Sequence, residues 1–574
     1  IFSMAVSRSG LLGVIGLLMA SYVMQRLSVS YISTRFKFRP SAATSSRRPF
    51  QLRSCYSSAL VHRRSFVNYR RPVPDIRLSP AASLATEAAP SKPAGDAEIE
   101  TSPIRTGLSD EHRIVVLGGG FGGLYTALKL SELKWKTKPE ITLIDVSDRF
   151  LFKPLMYELI TGEATLDQVA PLFRDLVATE GIRFVQDKVI SVTPSDVANG
   201  KSGKVELGGG DTLYFDWLVT GVGAETNMNL APGAKEYALP FGTLDDVRAL
   251  EAKLVEIEAG DSKALVSVVG GGAGGVELAA TVADRFNKTL GKDNFEVVLY
   301  SAGEELMGSF AVDARGVAAD ILTAKGVKVV YSTRVDKIEK APSNGSSSGE
   351  YTLTLTSKAS DESSEASSNL VLWTAGARPV GIKGLTSSEE MVTTDDMLRL
   401  SGRTNEFALG DVAKHGLPAT AQVAMQQADY CAWNIFASVN GENLLKFRYQ
   451  HLGNLMALGP LSATATLNVP GVGDVTLKGP VASALRKLAY IYRMPTTQQR
   501  LKVGSEWLRD PEIWVPKDIP RDISGLEKLS PFTSTPNIDL KKIFDPETQD
   551  EIRGAMQGLF DRLSVEISQR GKRS

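Results

Sequence analysis

Cysteine and histidine are scarce in this chain. Its 574 residues include two cysteines, Cys55 and Cys431, and four histidines, His62, His112, His415 and His451, which do not cluster. Two distant cysteines exclude a disulfide framework, a Cys₄ zinc site and a C-x-x-C or C-x₄-C redox pair. The histidines show no ligand spacing, so no metal site is expected and each reads as an ordinary polar residue. Net charge is lacking too, with 65 Lys and Arg against 65 Asp and Glu, so nothing global points to nucleic acid. The apolar run Gly10 to Met24 has fifteen residues, short of the roughly 20 that span a bilayer.

Acids are absent from the start of the chain. None precedes Asp75, whereas Arg and Lys occur twelve times there among many serines. That is the composition of an organelle transit peptide, because acids oppose import; a secretory h-region within Gly10 to Met24 is the alternative. Residue 1 is Ile, so the expected start is Met4 or Met24. Residues 79–103, rich in Ser, Ala, Pro and Glu, read as a disordered linker. Residues 1–105 are thus expected to stand outside the fold. The rest, in a chain 43% hydrophobic and 23% charged, is ordinary globular protein with room for two or three domains.

Glycine carries the strongest pattern. Ile114 to Leu117 reads as a buried parallel strand. Gly118, Gly120 and Gly123 then stand at G-x-G-x-x-G spacing, with Phe121 and Gly122 inside it, and Leu124 to Leu130 continues as a helix. The first glycine permits the tight turn, the second lets a pyrophosphate approach, and the third lets helix and strand pack. The helix N-terminus offers free N–H groups and a positive dipole end to phosphate. A second strand, Glu140 to Ile144, ends in Asp145, placed to bind a ribose hydroxyl pair. Residues 182–218 alternate as strands, and Thr220-Gly221 closes the apolar strand that returns to the first sheet.

The pattern then repeats. The strand Ala264 to Val269 runs into Gly270, Gly272 and Gly275 at the same spacing, a helix opens at Val276, and Phe295 to Tyr300 is the next strand. Two fingerprints in strand–turn–helix context argue for two dinucleotides. The second unit closes with Leu370 to Gly376, including Ala375, and carries a Ser-rich insert, Ser343 to Asn369, read as a mobile hairpin tip without EF-hand spacing. Thr404 to Gly410 returns to the first unit and delivers Asp411. The expected fold is α/β: two Rossmann-like dinucleotide-binding domains, the first discontinuous (111–261 and 380–450), the second (262–379) inserted into it. A C-terminal region follows at 451–510, then a linker and amphipathic helix at 511–574.

These signposts, Gly118–Gly123, Asp145, Thr220-Gly221, Gly270–Gly275, Thr374 to Gly376 and Gly410-Asp411, resemble those of the two-dinucleotide flavoprotein reductases over about 112–435. The resemblance implies FAD at the first fingerprint and NADH or NADPH at the second. Ala421 to Gln427, A-Q-V-A-M-Q-Q, resembles the A-Q-x-A-x-Q-Q motif of type II NAD(P)H:quinone oxidoreductases. The transit-like start and long C-terminus are similar to the plastidial C class of plants. Thr420 can cap a helix whose positive end faces the flavin. Ala421 and Ala424 are small enough for close approach, and Gln422 and Gln426 share one face, offering donors to quinone carbonyls. The bland alternative is a buried polar face without ligand. By the same resemblance Glu277 lies where nicotinamide meets flavin, or is simply a first-turn acid. Lys153 reaches the flavin ring, or is a loop residue in a salt bridge.

The implied function is electron transfer from NAD(P)H through FAD to a membrane quinone (plastoquinone, a phylloquinone precursor or ubiquinone), without proton pumping. The implied site is plastidial, on a thylakoid or plastoglobule surface, with the mitochondrion open; oligomeric state, a homodimer included, is open too. Disulfide and sulfide reductases need paired cysteines, which are missing. A ferredoxin- or rubredoxin-type reductase is the runner-up, and a non-enzymatic redox sensor stands behind it. For the nucleotide, the ribose-reading position falls on Ser301, where an acid would repel a 2′-phosphate. NADPH is therefore expected to be accepted at least as well as NADH, unless Glu304 or Glu305 folds back to supply an acid. Val481, Leu485, Leu488 and Tyr492 form a helical stripe flanked by Arg486, Lys487, Arg493, Arg500 and Lys502, with Tyr490 and Trp507 nearby. That pattern fits an interfacial membrane helix, or docking on the body or on a dimer partner. A last helix is expected from Asp545-Pro546.

Overall fold

The computed structural model describes residues 112–196, 199–342, 349–459, 462–469 and 473–509. The expected transit segment, both linkers and the helix from Asp545 lie outside the described residues. Strand β1 (Arg113–Leu117) is followed by helix α1 (Phe121–Glu132) and strand β2 (Glu140–Asp145). Strands β3 (Ile182–Gln186) and β4 (Trp217–Thr220) complete the first run. The late strand Glu406–Ala408 adds to β4, so the first sheet has the order 406–408, β4, β1, β2, β3, all parallel. Ile114 to Leu117 are almost wholly buried, as expected of strands covered on both faces. The chain leaves this sheet and returns to it, so the first nucleotide unit is discontinuous.

The second sheet begins before position 262. Strand β5 (Ala238–Pro240) pairs in parallel with Leu370–Trp373. Helix α2 (Leu244–Glu258) packs Val247, Leu250 and Leu254 into one core with Val266 and Val268 of strand β6 (Ala264–Val269). A three-residue edge strand has too little pattern to show in sequence, and the helix has no glycine signal, so the expected boundary falls about 24 residues late. The remaining strands are β7 (Phe295–Tyr300), β8 (Val327–Val330) and β9 (Leu370–Trp373), in the order β8, β7, β6, β9, β5. Of the Ser-rich insert, Tyr351–Ser357 and Ser363–Ser368 form an antiparallel hairpin.

The C-terminal region departs most from expectation. A three-stranded antiparallel sheet (454–457, 463–469, 473–478) leads into helix α3 (Gly479–Arg493) and helix α4 (Thr497–Arg509). Helix α3 faces the body with its basic side chains, whereas Lys502 of α4 is exposed. Arg486 is 1% exposed, Lys487 3% and Arg493 8%, and Tyr490 and Trp507 are buried as well. Tyr490, Met494, Val503 and Trp507 share a core with Phe150, Phe152 and Val169 of the first unit. The interfacial pattern is overturned at these positions because the basic face is buried in the body, where Arg486 pairs with buried Glu158 and the charges of Lys487 and Arg486 act on half-buried Glu163. Among the described residues no helix is long and apolar enough to cross a membrane.

Candidate functional site

The two glycine turns are built alike. At Gly118 φ is +88° and at Gly270 +126°, a region L side chains rarely adopt. A Cβ on Gly123 would lie 1.8 Å from the Gly118 carbonyl oxygen, and one on Gly275 would lie 1.9 Å from that of Gly270. Gly120 and Gly272, by contrast, meet nothing within 4 Å. Each turn is therefore closed on its inner side and open where a pyrophosphate would approach. Gly118 rests on Gly221, and Gly122 on Leu409, so the Thr220-Gly221 and Gly410-Asp411 segments brace the first turn.

Asp145 stands at the end of β2 as expected, with one carboxylate oxygen accepting from the Gly119 N–H at 2.6 Å and the other from Ser147 at 2.8 Å. Burial raises its pKa against those bonds. Asp411 is likewise raised by burial and held down by the nearby charges of Lys153 and His415, so Lys153 belongs to the Asp411 side of the site. His415, read from sequence as an ordinary polar residue, clamps this turn: its Nδ1 accepts from Leu417 at 3.1 Å, and its Nε2 lies 3.2 Å from the Gly410 carbonyl. The Gly410 N–H donates to fully buried Gln427 at 2.7 Å. Gln427 was passed over in sequence because nothing local marks its partner.

The Ala421–Asn440 helix is capped by Thr420, whose hydroxyl accepts from the Val423 N–H. Its glutamines do not hang free. Gln422 accepts from the Tyr449 hydroxyl at 2.8 Å and the Leu452 N–H at 3.0 Å, and donates to Gly453. Gln426 exchanges two bonds with the backbone of Gln450, at 2.8 and 2.9 Å. The expected pair of free donors is instead a staple holding segment 449–453, because that backbone has no strand partner of its own. Gln422 lines the cavity described next; Gln426 does not.

That cavity, about 1060 Å³, runs from the second glycine turn past Ser301 to Phe310 and Thr374 to Gly376, reaching Phe121, the Thr420–Gln422 helix start and, in α3, Leu485, Ala489, Tyr490 and Arg493. The α3 wall was not foreseen. Next to it lies a buried charged cluster. Arg486 pairs with Glu158 at 2.6 Å, and its guanidinium stacks 5.2 Å from the Tyr490 ring centre. Glu277 accepts from the Ala457 N–H at 2.8 Å. Burial raises the Glu277 carboxyl to about 7, against that bond and the Arg486 charge. Burial, then Glu277 itself, pushes the Tyr157 hydroxyl well up.

Ser301 does end β7, but it is 2% exposed, and its hydroxyl hydrogen-bonds with the backbone of Gly303 at 3.3 Å. It closes its own turn while lining the cavity wall there. Among the described residues no cluster of three or more His, Cys, Asp or Glu is placed to hold a metal.

Two open-sided glycine cradles on two parallel sheets, one sheet interrupted by the other, define a two-dinucleotide oxidoreductase. The chain belongs to the pyridine nucleotide-disulphide oxidoreductase family, whose profile matches residues 112–428, and within it to the type II NAD(P)H:quinone oxidoreductases. It is 37% identical over 437 residues to the alternative NAD(P)H-ubiquinone oxidoreductase C1, chloroplastic/mitochondrial, of Arabidopsis thaliana, covering 71% of this chain and 83% of that protein. It is 38% identical over 417 residues to the demethylphylloquinone reductase NdbB of a Synechocystis strain, covering 70% and 96%. In fold it is similar to NDH2 of Plasmodium falciparum solved with NADH, with TM-score 0.59 and 20% identity over 71% of this chain and 99% of that one.

Proposed function

We propose that this chain is a flavoprotein that carries two electrons from NAD(P)H to a membrane quinone without pumping protons. The single observation that carries the reading is the cavity, which joins the second glycine turn to the Thr420-capped helix start and leaves no paired cysteine to act as an alternative acceptor. The residues of the first turn fit FAD: Gly120 is open to a pyrophosphate, and Asp145 and Asp411 flank the turn. The chemistry FAD supplies when bound is hydride acceptance and two-electron transfer. NADH and NADPH are assigned to the second turn, with Thr374, Ala375 and Gly376 closing that end.

The chain's own part is positioning and protons. The N–H groups at the start of the Ala421–Asn440 helix present a positive dipole end that favours negative charge developing beside it. Ala421 leaves room for a ring, and Gln422 fixes segment 449–453 as the facing wall. Quinone reduction takes up two protons with two electrons, and Glu277, held at about 7, can hold or give a proton near neutral pH. The relatives' names and the N-terminal composition support a plastid or mitochondrial site. Peripheral membrane contact falls to the outer face of α4, where Leu501 is 58% exposed beside Lys502.

The test is steady-state turnover of the purified full-length protein with NADH or NADPH and a panel of quinones, alongside its absorption spectrum. A yellow protein that reduces quinones is expected. Oxidation of NAD(P)H only when a ferredoxin- or rubredoxin-type protein is the acceptor would overturn the reading.

A further inference from the structure

The rim of the second cradle holds an ion pair that the sequence pattern did not reveal. Ser301, at the end of β7, is buried and bonded within its own turn. The next ionisable side chain on the cavity wall is Glu305. Its carboxylate is paired with Arg315, which arrives from the start of the Val312–Ala324 helix ten residues on. The two partners differ in freedom. Glu305 is 67% exposed and can turn into solvent, whereas Arg315 is 19% exposed and its Nε is buried without a hydrogen-bond partner.

We infer that Glu305 and Arg315 together form a selector for the 2′ position of the nucleotide's adenosine ribose. This rests on the assignment of the second turn to NAD(P)H. With a 2′-hydroxyl, Glu305 stays paired with Arg315 and accepts the hydroxyl proton in a hydrogen bond. With a 2′-phosphate, the phosphate replaces Glu305 as the partner of Arg315, and Glu305 swings to water. A guanidinium suits this exchange because its fork matches carboxylate and phosphate alike. The carboxylate's exposure makes its release cheap. The pair therefore admits both nucleotides: Glu305 works against the phosphate and Arg315 works for it.

The test measures equilibrium binding of adenosine 2′,5′-bisphosphate and of 5′-AMP to the full-length flavin-containing protein by calorimetry. The probes are the adenosine halves of NADPH and NADH. Arg315→Ala should weaken the bisphosphate about tenfold or more, the scale of a lost charge-assisted bond, and leave 5′-AMP within about twofold. Glu305→Gln, at an exposed carboxylate, should do the reverse, tightening the bisphosphate and weakening 5′-AMP a few-fold. Both probes binding with an unchanged ratio in both variants would overturn the selector. Equal weakening of both probes by Arg315→Ala, without a reciprocal shift in Glu305→Gln, would show that the pair only braces the loop and would overturn it as well. Wild-type protein that binds neither probe would bring down the nucleotide assignment itself.

Discussion

The second glycine turn and the C-terminal helix α3 both line one cavity, and they are built by opposite means. The turns use bare backbone: at Gly123 and Gly275 there is no space for even one carbon. Helix α3 uses charge, burying Arg486 against Glu158, which lies 328 residues earlier in the chain. One wall is specified within a dozen residues of sequence, and the other only when two distant segments meet. A wall of the first kind tolerates no side chain at its closed positions, Gly123 and Gly275. A wall of the second kind depends on both partners being present.

The largest effect should come from separating the partners. Arg486→Leu leaves Glu158 buried without its cation, which typically costs about 3–5 kcal/mol. Urea denaturation should show that loss, and Glu158→Gln in the same chain should restore most of it. Full stability in Arg486→Leu alone would mean that α3 is held by its apolar contacts. Removing everything after about residue 480 should likewise destabilise the first unit, because Phe152 and Phe150 would lose Tyr490, Met494 and Trp507.

Glu277 sharpens the comparison through pH. Its carboxyl rises from an ordinary 4.5 to about 7 on folding, so the folded chain binds more protons than the unfolded chain between those values. Its contribution is complete below about 4.5 and is lost as pH rises through 7. The loss approaches about 3 kcal/mol. Glu277→Gln should therefore show a flatter fall in stability between about pH 5 and pH 8 than wild type. Parallel profiles would remove Glu277 from the buried charged cluster.

The turns offer a smaller and more local test. Gly275→Ala should cost about 1–3 kcal/mol through overpacking and weaken nucleotide binding while FAD stays bound. Gly272→Ala should leave stability unchanged, since nothing lies near it, yet still weaken nucleotide binding by filling the open side. Equal stability of the two variants would show that the second turn yields where the geometry says it cannot. Smallest of all, Gln426→Leu should cost about 1 kcal/mol for its lost bonds to Gln450 and leave the quinone KM within about twofold.

Legibility follows the same division. Both glycine turns and Thr420 as a cap were readable because each depends on neighbours in sequence; the return of Glu406–Ala408 to the first sheet pairs it with Leu218–Thr220, far back in the chain, and was readable only through the Gly410-Asp411 signpost. The interfacial reading of Arg486, Lys487 and Arg493 failed because amphipathic patterning gives a helix its faces but not the acids that wait for them. Gln422 and Gln426 were placed on one face correctly, but their partners come from residues 449–453. Ser301 was placed at the right strand end, but its hydroxyl turns back on Gly303.

On the proposed function, one cavity receives the nicotinamide nucleotide at its glycine end and the quinone at the Gln422 end. Rapid mixing of full-length Gln422→Leu measures it most directly, following the loss of flavin absorbance on adding NAD(P)H and its return on adding quinone. The first phase should keep its wild-type rate while the second slows or needs more quinone. A slowed first phase with an unchanged second would contradict it.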